Sequence, residues 1–192
     1  MNKVKVLIEG YAREIKGGWV ASSTVTFIES NGKKIIADPG CNKKKLAEAL
    51  EKEGIKTGDI DYVFLSHNHS DHVFLAALFE NTKRVDELYI YSGDIITEHN
   101  GIIPDTDLKI ILTPGHMEEH CSLVIPSPKG TYVVAGDVFW WYENEKQKVI
   151  IDKPDNDPEH MNLQKLITSR KKILEIADYV IPGHGKMFKV EK

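Results

Sequence analysis

Apolar and polar positions alternate at both ends of the chain and give way to helical spacing in between. Val4, Val6 and Ile8 alternate with Lys3 and Lys5, which predicts a strand over residues 3–9. A polar stretch from Gly10 to Gly18 follows, then Trp19 and the β-rich run Ser23–Ile28. Asn31-Gly32 is a hairpin signal, with Lys34–Ala37 as the returning strand and Asp38-Pro39-Gly40 as its stop. Leu46, Ala47 and Leu50 predict a helix over Lys44–Glu53 that ends at Gly54. Tyr62–Leu65 reads as a buried strand. Val73–Phe79 is apolar all round and predicts a helix packed deep in the domain.

The second half continues in the same style. Glu87–Tyr91, Lys109–Leu112, Ser122–Ile125 and Tyr132–Ala135 read as strands, punctuated by Thr113-Pro114-Gly115, Pro126, Pro128 and Gly136. Asp157 as N-cap and Pro158 at the first position open a long helix, whose inner face is Leu163, Leu166, Ile167, Leu174 and Ala177. Tyr179–Ile181 is a last short strand before Pro182-Gly183-His184-Gly185. Two halves of strands and helices predict an α+β fold in which two sheets face each other with helices outside. No linker divides the chain, so residues 1–192 are expected to form one domain.

Composition adds exclusions. A net charge of −4 provides no general attraction for phosphates, so a nucleic-acid partner is not expected. No apolar stretch is long enough to span a bilayer, and the N-terminus carries no signal-peptide pattern. Two cysteines, Cys41 and Cys121, give no disulfide framework and suit a reducing cytoplasm; Cys121 is expected to be a small buried residue. A homo-oligomer is left open.

The chemistry is concentrated in Ser66-His67-Asn68-His69-Ser70-Asp71-His72. Three imidazoles and a carboxylate in six positions suit metal ligation better than core packing or a polar loop. In an extended segment His67, His69 and Asp71 would share a face, with His72 swinging round as the chain turns. His116, Asp137 and His184 each follow an apolar strand and sit beside a glycine that permits close approach. The set is then five histidines and two aspartates, about what two zinc-like ions need if positions stay open for water or substrate. His99, His120 and His160 are expected to lie outside it.

The pattern His67-x-His69-x-Asp71-His72, then His116, Asp137 and His184, resembles the metallo-β-lactamase-fold hydrolases over nearly the whole chain. The resemblance implies a four-layer αββα sandwich of two mixed sheets with a metal site along one edge. It implies a first ion on His67, His69 and His116, and a second on Asp71, His72 and His184. Asp137 and a hydroxide would bridge them. Asp38, after its strand, would support the site from behind the ligands. Asp71 and Asp137 would be the catalytic residues, Asp71 receiving a proton as the nucleophile attacks.

Two divalent ions are implied, zinc first, with iron or manganese also compatible with imidazole and carboxylate donors. The substrate expected is a small ester, thioester, lactone or phosphoester. The alternative is an iron-dependent redox enzyme on the same ligands, acting with oxygen or a persulfide. The pocket is expected to draw on Trp19, at the tip of a mobile hairpin over the site, and on Phe139, Trp140 and Trp141, since two adjacent tryptophans on a strand cannot both face inward. Val73-Phe74 stands where relatives have a small pair, and would narrow the pocket near the second ion.

Overall fold

The structure is a computed structural model describing residues 1–153 and 162–191. The first strands are β1 (Lys3–Ile8), β2 (Tyr11–Ile15), β3 (Gly18–Ser22), β4 (Val25–Ser30) and β5 (Lys33–Ala37), followed by helix α1 (Lys43–Lys52). Next come β6 (Tyr62–Phe64), the short helix α2 (Ser70–Val73), β7 (Lys83–Val85), β8 (Tyr89–Ser92) and β9 (Ile95–Glu98). The rest comprises β10 (Lys109–Leu112), β11 (Cys121–Ile125), β12 (Tyr132–Trp140), helix α3 (Leu163–Ile176), β13 (Tyr179–His184) and β14 (Phe188–Lys189).

These strands make a seven-stranded sheet, β1-β4-β5-β6-β7-β8-β9, and a five-stranded sheet, β10-β11-β12-β13-β14. Parallel pairs β5–β6, β6–β7 and β12–β13 stand among antiparallel ones, so both sheets are mixed. Ile28, Ile35 and Phe64 of the first sheet pack against Leu123, Ile125 and Ile181 of the second, all fully buried. On the outer face of the first sheet Ile36 and Val63 meet Leu46 and Leu50 of α1. On that of the second, Val133, Ala135 and Val180 meet Leu166 and Ile173 of α3. Burying each such aliphatic side chain is worth about 1.5–3 kcal/mol, which is why the amphipathic helices close over the sheets. The result is the expected αββα sandwich, and Cys121 is buried between its sheets.

Local chemistry sets the turns. Asn31 (φ 49°) and Gly32 (φ 82°) form the two-residue turn between β4 and β5, both in the left-handed region such a turn requires. The α1 helix starts where Asn42 Oδ1 accepts the Lys45 N–H, and α3 starts where Asn162 does the same for Lys165. Asp157 and Pro158, expected to open α3, lie outside the described residues, as does His160.

Two expectations, for Val73–Phe79 and for the strand from Tyr132, are corrected, and other strands are added. Val73–Phe79 is not one deep helix: α2 ends at Val73, a 3-10 turn covers Phe74–Leu78, and Phe74 is 69% exposed while Leu75, Ala76 and Phe79 turn inward. An even apolar run has no stripe to define a helix axis, and the chain bends instead. The polar stretch after Gly10 pairs with residues 18–22 as β2–β3, the hairpin expected to carry Trp19. β12 does not stop at Ala135; it continues through Asp137 to Trp140 because β13 pairs alongside, with irregularities around Gly136. The short strands β7, β9 and β14, without a clear alternation of their own, are formed by pairing with neighbours. Among the described residues no helix is long and apolar enough to cross a membrane.

Candidate metal centre

Seven side chains from five segments meet at one edge of the sandwich. His67 and His69 come from the loop after β6, Asp71 and His72 from α2, His116 from the loop after β10, Asp137 from β12 and His184 from the end of β13. Donor atoms of His67, His69, His116 and Asp137 lie within 4.8 Å of one another, and so do those of Asp71, His72 and His184. His69 Nδ1 and His116 Nε2 are 3.0 Å apart. The shared-face expectation for His67, His69 and Asp71 is corrected: β6 ends at Phe64, and α2 carries Asp71 away into the second group beside His72.

Asp137 stands between the groups. Its Oδ2 is 3.5 Å from His116 Nε2 and 3.9 Å from His67 Nε2. Its Oδ1 is 3.2 Å from His72 Nε2 and 3.6 Å from His184 Nε2. One carboxylate oxygen therefore faces each group. Gly183 is needed for this: a Cβ there would lie 1.7 Å from Asp137 Oδ1. Gly136 is needed as well, with φ 49° and Ser66 Oγ only 2.6 Å from where its Cβ would stand.

Hydrogen bonds behind the donors fix the imidazoles. His72 Nδ1–H donates to Asp38 Oδ2 at 2.9 Å, His184 Nδ1–H to the Tyr11 carbonyl at 3.2 Å, and His67 Nδ1–H to Ser66 Oγ at 3.0 Å. In all three Nε2 is the nitrogen turned to the centre, available to an ion once any proton on it is displaced. Asp38 also accepts the Ser66 N–H and hydroxyl at 2.8 and 2.6 Å. It does so from a left-handed backbone (φ 47°), a conformation that costs a non-glycine residue about 1–3 kcal/mol. The main chain is pinned too: Ser23 and Gly40 donate to the carbonyls of Asp71 and His72, and Thr24 to that of Gly183.

His67 Nε2, His72 Nε2 and Asp137 Oδ1 are buried and make no well-aligned hydrogen bond, His72 Nε2 and Asp137 Oδ1 facing each other at 3.2 Å. Such atoms cost about 1–3 kcal/mol each unless something else satisfies them. Three orphaned donors of electron pairs converging with four more imidazole and carboxylate groups fit divalent metal ions of the zinc type.

The charges agree. Burial works against the Asp137 charge, yet His72 and His184 hold its carboxyl well below the usual range. Burial likewise opposes charge on His72 and His184, but Asp137, aided by Asp38 at His72, raises both, His184 to about 9. Asp71, despite burial, is held low by its hydrogen bond to His184 (3.2 Å) and by the His72 charge. Burial and the His72 charge push His67 well down. Metal must therefore displace protons from His72 and His184. Titrating the metal-free protein with zinc near pH 7 in weak buffer is expected to release about one proton from each; the His184 share should fade as pH rises through about 9, and the His72 share as pH passes that group's own raised value. The sign follows from the raised folded values: these protons stabilise the metal-free fold below pH ~6.5 and are lost as pH climbs through the folded value, so apparent metal affinity climbs with pH. Release that does not vary with pH would contradict this.

The expected pocket aromatics divide. Phe139 and Trp141 are both buried in the cluster under α3; the Trp141 indole N–H donates to the Lys148 carbonyl, and its ring also borders a cavity with Tyr11 and Gly185. Alternation on β12 sends Trp140 the other way, half-buried with its ring 6.2 Å from that of His184. Trp19 is 68% exposed beside the turn of the β2–β3 hairpin, whose base carries Tyr11. Sequence reasoning missed Ser66, whose position just before His67 was its only signal, and it set His120 aside. His120 is fully buried, and burial together with its histidine neighbours, His116 first, pushes it down to about 3. It stays out of both donor groups; so does His99, which bonds the backbone of Asp86 and Gly101.

Comparison with known proteins identifies the family and the fold. Residues 18–96 match the profile of the metallo-β-lactamase superfamily. Over its whole length the chain is 31% identical to metallo-β-lactamase domain-containing protein 1 of Xenopus laevis, covering 83% of that protein. The chain belongs to the metallo-β-lactamase superfamily. Among solved structures of this superfamily's fold, a Thermotoga maritima protein assigned to the metallo-β-lactamases aligns with TM-score 0.69 at 20% identity, covering 98% of this chain and 99% of that one. A dizinc quorum-quenching lactonase, AidC, aligns with TM-score 0.56 at 17% identity over 87% of this chain and 74% of its own.

Proposed function

We propose that the chain is a binuclear metal-dependent hydrolase acting on a small ester, thioester, lactone or phosphoester. The observation that carries this reading is the division of the Asp137 carboxylate, one oxygen toward His67 and His116 and the other toward His72 and His184. A single-ion site has no use for that arrangement. Structures of the same fold are described in dizinc and in di-iron forms, and the imidazole and carboxylate donors here suit either ion; zinc is the one we assign for hydrolysis.

His67, His69 and His116 would hold one ion, Asp71, His72 and His184 the other, and Asp137 would touch both. Bound ions would supply an activated water and a Lewis acid for the electrophile. The remaining work belongs to the chain. Asp38, Ser66 and the Tyr11 carbonyl keep three imidazoles in the ligating tautomer. Asp71, whose side chain is 24% exposed, can accept a proton and pass it to solvent. Trp140 offers a flat apolar wall beside His184 for the substrate's organic group, with Lys153 Nζ 5.8 Å from its ring.

A panel of thioesters, lactones and phosphodiesters, with zinc-loaded and iron-loaded protein, tests the reading. Zinc-supported turnover of at least one class is expected, and no hydrolysis with either metal would refute it. In Trp140→Ala, KM for the best substrate should rise about two- to tenfold, the equivalent of a 0.5–1.5 kcal/mol aromatic contact, with metal content unchanged. A Trp140→Ala enzyme with wild-type KM throughout the panel would remove the wall from the pocket.

A further inference from the structure

We propose that His120 is the positioning residue of Asp137: a buried imidazole, locked in one tautomer, that fixes the carboxylate shared between the two donor groups. The inference rests on the binuclear reading above. His120 Nε2 accepts the Asp137 backbone N–H at 3.2 Å, so the ring proton sits on Nδ1. Nδ1–H donates to Thr113 Oγ1 at 3.0 Å. The Thr113 hydroxyl then donates to Ser122 Oγ at 2.7 Å, and Ser122 reaches the Ala135 carbonyl at 3.5 Å. With Asp137 N–H as the first donor, each hydroxyl and ring N–H has one acceptor ahead of it, so the direction of every bond is set.

The chain of bonds begins and ends on β12. It leaves at Asp137, returns at Ala135, and so brackets Gly136, the residue whose φ of 49° breaks the strand register. The twist at that glycine aims the Asp137 side chain. His120 Nε2 lies 2.7 Å from where a Cβ on Gly136 would stand, so the ring fills the space beside the turn. The same ring stacks on His67 at 4.9 Å and 28°, and meets His116 edge-on at 6.3 Å. One side chain thus touches two members of the first group and the backbone of the carboxylate that serves both. Thr113, His120 and Ser122 are all fully buried, where an unpaired N–H is costly. A ring present only for packing needs no acceptor aimed at Asp137.

Two variants separate positioning from packing. His120→Leu keeps apolar volume and removes the acceptor; His120→Gln can return an acceptor oxygen to the Nε2 position. In calorimetric zinc titrations the leucine variant is expected to bind the second ion at least about tenfold more weakly, and the glutamine variant to recover most of that loss. A folded leucine variant that binds both ions as wild type does, whatever its melting temperature, overturns the proposal. Nitrogen-15 NMR of histidine-labelled, metal-free wild-type protein at pH 7 provides the second measurement and needs no variant to fold. The Nδ1–H tautomer is expected at His120, and the Nε2–H tautomer overturns the proposal. Wild-type protein that takes up fewer than two ions would defeat the binuclear reading instead, and the tautomer would still decide whether His120 holds Asp137.

Discussion

Asp137→Ala is expected to lower hydrolysis by about a hundredfold or more and to leave the chain with one tightly held ion in place of two. The reason is the position of one carboxylate. Oδ1 is the nearest anionic oxygen to His72 Nε2 (3.2 Å), and Oδ2 is 3.5 Å from His116 Nε2. Removing both oxygens withdraws one donor from each group and leaves His72 and His184 with Asp71 as the only carboxylate in their group. The two groups should not suffer alike. The first keeps three imidazoles, whereas the second keeps two imidazoles and the partly exposed Asp71. Asp137→Asn is the control, since it preserves shape and one acceptor while removing the charge. Metal content per chain after dialysis and turnover on the best substrate check the prediction together. An alanine variant with wild-type turnover would end the shared-carboxylate account.

Asp38→Ala should have the next largest effect. Asp38 lies outside both donor groups, yet its carboxylate accepts from His72 Nδ1, the Ser66 amide and the Ser66 hydroxyl. Removing it frees the His72 ring to rotate or change tautomer, and the ligating Nε2 is then no longer fixed. Loss of such a partner costs about 10- to 100-fold in metal affinity. Unpaired Ser66 and His72 donors would also destabilise the fold by about 1–3 kcal/mol each. Asp38→Asn divides the two effects: asparagine tolerates the left-handed backbone at φ 47°, so what it loses is charge and acceptor pattern rather than shape. Competition with a chelator gives the affinity, and thermal melts of metal-free protein give the stability. If both variants bind zinc as wild type does, Asp38 serves its turn and nothing more.

The density of polar groups in an apolar setting made the centre legible. His67, His69, Asp71 and His72 follow a strand with no packing reason to be there, and His116, Asp137 and His184 each adjoin a glycine. The two-sheet sandwich was legible for a similar reason, because alternating strands need a second apolar face to cover them. What escaped notice depends on contacts between distant segments. Asp71 and His72 sit on a helix of four residues, too short to leave a periodic pattern. The extension of β12 past Gly136 depends on β13, more than forty residues downstream. Ser66 carries no motif of its own and His120 follows Thr113-Pro114-Gly115-His116 without being a ligand; their roles appear only when Asp38, Thr113 and Asp137 are beside them. The aromatic run was half legible: strand alternation requires that one tryptophan face away from the core, and only the packing under α3 shows that it is Trp140.

Anomalous X-ray scattering at the zinc edge from crystals of the zinc-loaded protein tests the two-ion centre itself. Two peaks are predicted, one among His67, His69 and His116 and the other among Asp71, His72 and His184, each in contact with a different oxygen of Asp137. A single peak, or two peaks with Asp137 bound to only one of them, would rule out a carboxylate shared between two ions.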